Sequence, residues 1–204
     1  MNQFSYIHSY AFFLLDSSDP NDILDCVEAS SDGGTQSRNG GPDACEVKPH
    51  SKPWIVHFFD NSPGACGGTL VAKNVVLTAK HCSAARRGNI ATLGDHSRND
   101  FDIGQRSIRI KDVFSNLTEC PRCDFKIVIL DEEVQTNEYV QIADLPRPNE
   151  SCPPGKNLVA CGWGEDKYNK TRSLDKLWCV AQECVEMPRP EGFGCSRKVR
   201  HLCK

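Results

Sequence analysis

The sequence predicts an all-β protein, on three observations. Short runs of β-branched and aromatic residues recur from Pro53 onward, turn residues separate them, and no run of about 12 or more residues keeps a helical period. Several short strands punctuated by turns are the pattern of a barrel or sandwich.

The elements follow in chain order. Residues 10–15, "YAFFLL", form the first apolar run, short for the core of a secretory signal and preceded by no Lys or Arg, so any signal here is weak or lacks its start. Residues 16–44 are rich in Asp, Ser and Gly with almost no apolar spacing, and read as an irregular leader or linker. Strand candidates are "WIVHFF" (54–59), "GGTLVA" (67–72), "NVVLTA" (74–79), "NIATLG" (89–94), "SIRIKDVF" (107–114) and "FKIVIL" (125–130). A proline-rich connector, "LPRPNESCPPG" at 145–155, divides them from a second apolar group, "NLVACGWG" and "LDKLWCV". The chain is therefore divided into a propeptide-like leader over 1–38, a first barrel over 39–147, and a partial second barrel with a basic tail over 148–204. That tail, "SRKVRHLCK", reads as a solvated end.

Composition narrows the function. At 204 residues the chain can bury one large core or two small ones. A net charge of -3 with mixed signs offers no surface for nucleic acid, and none is expected as a partner. No stretch approaches the roughly 20 apolar residues of a spanning helix, so no membrane anchor is expected. Twelve cysteines would be liabilities as free thiols in a secreted chain, and acceptor sequons at Asn116, Asn149 and Asn169 point the same way. Together they predict a secreted, disulfide-bonded glycoprotein. "CPRC" at 120–123 matches one knuckle of a zinc site but has no second pair at similar spacing, so no metal and no cofactor are expected.

One stretch carries chemistry: "LTAKHC" at 77–82, an apolar run ending in His81 and Cys82. A histidine beside a buried strand is more often structural than catalytic. Its surroundings shift that balance. Cys66 and Cys82 lie 16 apart, and a bridge between them would hold His81 at the strand edge, contributing about 3 kcal/mol in the loop-entropy description. A histidine that takes and returns a proton needs an acceptor on its other ring nitrogen. Asp124, opening "DFKIVIL", is the candidate, although an Asp at a strand start is also ordinary turn chemistry.

The segments "KPHSKPWIVHF", "CGGTLVAKNVVLTAKHC", "DFKIVILDEEV" and "VACGWG" occur in an order and spacing that resembles the chymotrypsin/trypsin family of serine proteases. The resemblance implies a double antiparallel β-barrel, complete in the N-terminal half and incomplete in the C-terminal half. It also implies peptide or protein substrates, with His81 as general base and Asp124 as its orienting carboxylate. Cys66 to Cys82 is implied as the histidine-loop disulfide, and Cys45 to Cys179 as a second bridge.

The departures from the family are equally specific. The family sets its nucleophile in "GDSGGP", where glycines permit a sharp turn and supply oxyanion donors. That segment does not occur in these 204 residues, and neither Ser173 in "RSLD" nor Ser196 in "CSRK" has flanking glycines. "EGFGCSRK" at 191–198 resembles the family's later pocket wall, as though the nucleophile segment were skipped. Arg38, at the activation-cleavage position, is followed by "NGG" instead of a branched pair. Lys80 and Lys126 replace small residues beside the base and the acid, so these lysines are expected either to snorkel outward or to alter the local packing.

Three readings follow. The chain is a trypsin-like endopeptidase by family that has no nucleophile of its own; or a non-catalytic homologue that binds a protein partner or inhibitor; or a splice or gene-model fragment that folds poorly because the second barrel is short of strands.

Overall fold

The computed structural model describes residues 11–13, 44–59, 66–115, 124–145, 147, 157–163, 175–184 and 199–201. Every regular element among them is a strand. In chain order these are β1 (Ala11–Phe13), β2 (Ala44–Glu46), β3 (Ile55–Phe58), β4 (Cys66–Ala72), β5 (Val75–Thr78), β6 (Ile90–Leu93), β7 (Arg106–Phe114), β8 (Lys126–Leu130), β9 (Asn157–Gly162), β10 (Trp178–Cys184) and β11 (Val199–His201). Each of the six runs expected between Trp54 and Leu130 forms a strand.

Those six strands close an antiparallel barrel in the order β3-β4-β5-β8-β7-β6. Closure pairs the backbone groups that an open sheet would leave at its edges. Alternation supplies the core: Val56, Phe58, Leu70, Val76, Ala91, Leu93, Ile108, Ile110, Val128 and Leu130 all point inward and are buried. The glycine pair of "CGGTL" has a packing reason. Gly68 is paired with Val56 on one side and Thr78 on the other. A Cβ there would lie 2.7 Å from the Phe58 ring, 2.8 Å from Val76 and 2.9 Å from the Leu77 carbonyl oxygen.

The second sheet has the order β1-β9-β10-β11, with β2 also paired to β10. It does not close among the described residues, so the architecture is a double-barrel fold with its first barrel complete and its second incomplete. The run at 10–15, weak as a targeting signal, contributes Ala11–Phe13 as a strand on β9, with Ala11 opposite Cys161. Strand β3 joins the two bodies because all four of its residues are buried. Val56 and Phe58 fill the barrel. Ile55 packs with Val47, Val159, Cys161, Trp163, Leu177 and Cys179 in the second core, and His57 faces Trp163 across the same interface.

Candidate active site

Strand register brings the two predicted site residues together. The last residue of β5, Thr78, is paired with the first of β8, Lys126. Three residues beyond Thr78 is His81, and two before Lys126 is Asp124, so the segments leaving this pair run out at the same end of the barrel. A side-chain bond from the Thr78 hydroxyl to the Gly67 carbonyl, 2.7 Å, holds the end of β5 to β4. The Cys66–Cys82 disulfide, with its Cα atoms 5.8 Å apart, fastens the start of β4 to the residue after His81.

The dyad itself is tight. His81 Nδ1–H donates to Asp124 Oδ2 at 2.5 Å, and the His81 backbone N–H donates to Asp124 Oδ1 at 3.0 Å. Both carboxylate oxygens are therefore engaged by one residue, which sets the tilt of the ring as well as its distance. With Nδ1 committed to the carboxylate, Nε2 carries the imidazole lone pair, the atom a general base uses. Partial burial pushes the Asp124 carboxyl up. The His81 ring bond, joined by backbone N–H bonds from His81 and Lys80 and by the imidazole's charge, outweighs this and holds it below its ordinary value. The side chains of His81 and Asp124 keep 37% and 57% of their surface exposed, so the pair can meet a molecule arriving from solvent.

The two lysines separate. Lys80 is exposed, as a snorkelling side chain would be. Lys126 is not: it occupies an inward position of β8, alternating with Val128 and Leu130, and is 8% exposed. Its ammonium donates to the carbonyl oxygens of Cys82, at 2.7 Å, and Ala85, at 3.0 Å, so the buried charge is hydrogen-bonded. Those carbonyls belong to the tight turn after His81, where Cys82 N–H donates to Ala79 and Ala85 N–H to Cys82. Burial lowers the Lys126 ammonium below the ordinary lysine value, and the nearby Asp124 carboxylate opposes that shift.

One expected bridge is corrected. Cys179 is bonded to Cys161, not to Cys45, while Cys45 is itself in a disulfide. Cys179 on β10 has a cysteine across the ladder on each side, Cys45 on β2 and Cys161 on β9, and the bond is made to the β9 neighbour, whose Cα is 4.1 Å away. Arg38, Asn116, Asn149, Asn169, Ser173, Ser196 and the "CPRC" cysteines lie outside the described residues.

A second histidine–carboxylate pair was not singled out from sequence. His57 Nδ1–H donates to Asp95 Oδ2 at 2.9 Å, and the Gln105 amide donates to the other Asp95 oxygen at 3.3 Å. The His57 ring lies 4.7 Å from the Trp163 ring at a tilt of 34°, and the Trp163 indole N–H donates to the His96 carbonyl. His57 and Asp95 are almost wholly buried, so this pair joins the two bodies and cannot meet a substrate. The available signal was His57 at an alternating position of a strand with both faces covered.

A closed six-stranded barrel that carries an exposed His–Asp dyad beside a disulfide, and packs against a second antiparallel sheet, defines the class of this protein. The family model described as Trypsin matches residues 43–191, well over half of the chain, and the chain belongs to that family of serine proteases. Among solved structures, a chain described as "Structure of GrC" is similar, with a TM-score of 0.60 and 26% sequence identity over 69% of this chain. The match spans 64% of that chain, just under two thirds of its length.

Proposed function

We propose that this chain is a secreted trypsin-family protein that keeps the base and its orienting carboxylate, has no nucleophile of its own, and works by binding a protein or peptide at the dyad face without cleaving it. The observation that carries this is the His81–Asp124 geometry beside a sequence without a nucleophile segment. Nδ1–H is held at 2.5 Å by the carboxylate, which makes Nε2 the basic nitrogen of the ring, while no serine in the 204 residues stands in a "GDSGGP" setting. Acyl transfer needs a nucleophile within hydrogen-bond reach of the base and oxyanion donors beyond it. A base without them can hydrogen-bond a ligand but has no attacking atom to activate.

Family membership supports peptide or protein as the bound class. The disulfides support an oxidising compartment, and the three sequons support glycosylation during export. In the same reading Arg38 is a cleavage site whose cutting switches nothing on. The test is turnover of a peptide-substrate library by the purified chain. The expected result is no hydrolysis above buffer; hydrolysis that disappears with His81→Ala would overturn the proposal.

A further inference from the structure

A buried lysine directly beneath a histidine–aspartate dyad is the least expected group in this site. Lys126 stands on the same strand as Asp124, two residues on, and strand alternation sends its side chain into the barrel among Val128 and Leu130. A buried ammonium without partners would be costly. Here two of its three protons go to carbonyl oxygens, both in the turn that carries His81. That turn closes on itself through only a few backbone bonds, Cys82 N–H to Ala79, Ala85 N–H to Cys82 and Arg86 N–H to Ala84. The Asn89 amide adds a bond to the Ala84 carbonyl. The Cys66–Cys82 disulfide fixes the turn to β4, on the far side of β5 from β8.

Besides the dyad bonds themselves, the Lys126 bonds are the ones described here that fasten the turn directly to the strand carrying the acid. The turn's remaining charges, Lys80, Arg86 and Arg87, are exposed.

We infer that Lys126 is a positioning residue for His81, its ammonium tying the Cys82–Ala85 turn to β8 and so fixing the distance and tilt at which the imidazole meets Asp124. This rests on the reading of His81 and Asp124 as the functional dyad, and its consequence is concrete. A short Nδ1–H···O bond persists only while both halves are held; without the ammonium the turn keeps the disulfide on the β4 side, the Asn89 bond to Ala84 and, through Asn89, the β7 backbone, but apart from the dyad itself none of these ties it to β8, the strand that carries Asp124. A methionine at 126 would fill nearly the same volume but donate nothing to the two carbonyls, so the ring should lose its fixed approach even though the barrel core stays packed.

The experiment reads the imidazole, not turnover, so it stands apart from the test of hydrolysis. The His81 Nδ1–H proton and ring nitrogens are observed by NMR on the full-length ¹⁵N-labelled chain, in the wild type and in Lys126→Met. The wild type is expected to show a deshielded, slowly exchanging Nδ1–H. In the methionine variant that signal should be lost to exchange and the ring nitrogens should move toward the averaged values of an unrestrained imidazole, while Val128 and Leu130 methyl signals keep their folded dispersion.

Ethylammonium added to Lys126→Ala, where it fits the space left by the side chain, should restore the signal. An unchanged Nδ1–H in a folded Lys126→Met chain would overturn the inference. Should neither variant fold, the wild type labelled at lysine Nζ decides it. One slowly exchanging ammonium with cross-peaks to the 82–85 turn is expected; lysine ammonium groups that all exchange like free ones would overturn it.

Discussion

Replacing Gly68 by alanine adds one methyl group at a crowded strand position of the barrel, where it meets three atoms at once. Its three neighbours are the Phe58 ring at 2.7 Å, the Val76 methyl at 2.8 Å and the Leu77 carbonyl oxygen at 2.9 Å. Ordinary carbon contacts sit near 3.5–4.0 Å, so each neighbour must retreat by roughly 1 Å. Phe58 and Val76 are fully buried and have no space to retreat into, and the carbonyl belongs to the strand beside β4. Overpacking of this kind costs about 1–3 kcal/mol, and the loss of glycine's unfolded-state freedom returns about 0.4–1 kcal/mol.

With three close contacts at once the upper part of that range applies, and the net loss should be about 2 kcal/mol. Gly88→Ala is the control. Its φ is +87° but nothing lies within 4 Å of the added Cβ, so only backbone strain of about 1 kcal/mol applies. Urea unfolding followed by tryptophan fluorescence gives both values from midpoint and slope. A Gly68→Ala chain as stable as Gly88→Ala, or more so, would refute the packing argument for the "CGG" motif.

Other expectations follow from the same structure. His57→Leu removes the ring bond from the buried Asp95 carboxylate, which keeps the Gln105 amide and the charge of nearby Arg98, and should destabilise the fold by about 3 kcal/mol. The double change His57→Leu with Asp95→Leu should recover much of that loss in the same urea assay. Asp124, with a folded value held below its ordinary 3.8, contributes stability that is present above that value and is lost as pH falls through the lower folded one. Asp124→Asn should therefore flatten the acid limb of a plot of urea midpoint against pH and leave its neutral region with a similar slope. Peptide mapping without reduction should recover Cys66 linked to Cys82 and Cys161 linked to Cys179; a Cys45–Cys179 peptide in their place would restore the pairing that sequence resemblance suggests.

What could be read from sequence, and what could not, divides by range. The barrel strands were legible because alternation and β-branching are local properties, visible in "SIRIKDVF" and "FKIVIL" without knowing their neighbours. That His81 and Asp124 would meet was legible because each sits in a long segment that resembles the trypsin family, and the structure brings them within hydrogen-bond distance. The partner of Cys179 was not: it is flanked across the ladder by Cys45 and by Cys161, and no linear pattern says which neighbour takes the bond. Lys126 was visible as an anomaly, but what resolves it, two carbonyls more than 40 residues away in the His81 turn, exists only once β5 and β8 pair. The pair of His57 with Asp95 depends on a separation of 38 residues and on Trp163 arriving from the other sheet. Neither half is unusual in its own segment.

Labelling with a fluorophosphonate probe tests most directly the proposal that His81 and Asp124 form a base with no serine to act on, because the probe bonds to an activated serine and to little else. The purified chain, intact and cleaved after Arg38, should remain unlabelled under conditions that label an active trypsin. A band on the chain that vanishes with His81→Ala would mean that a serine does reach the imidazole, and would contradict the account.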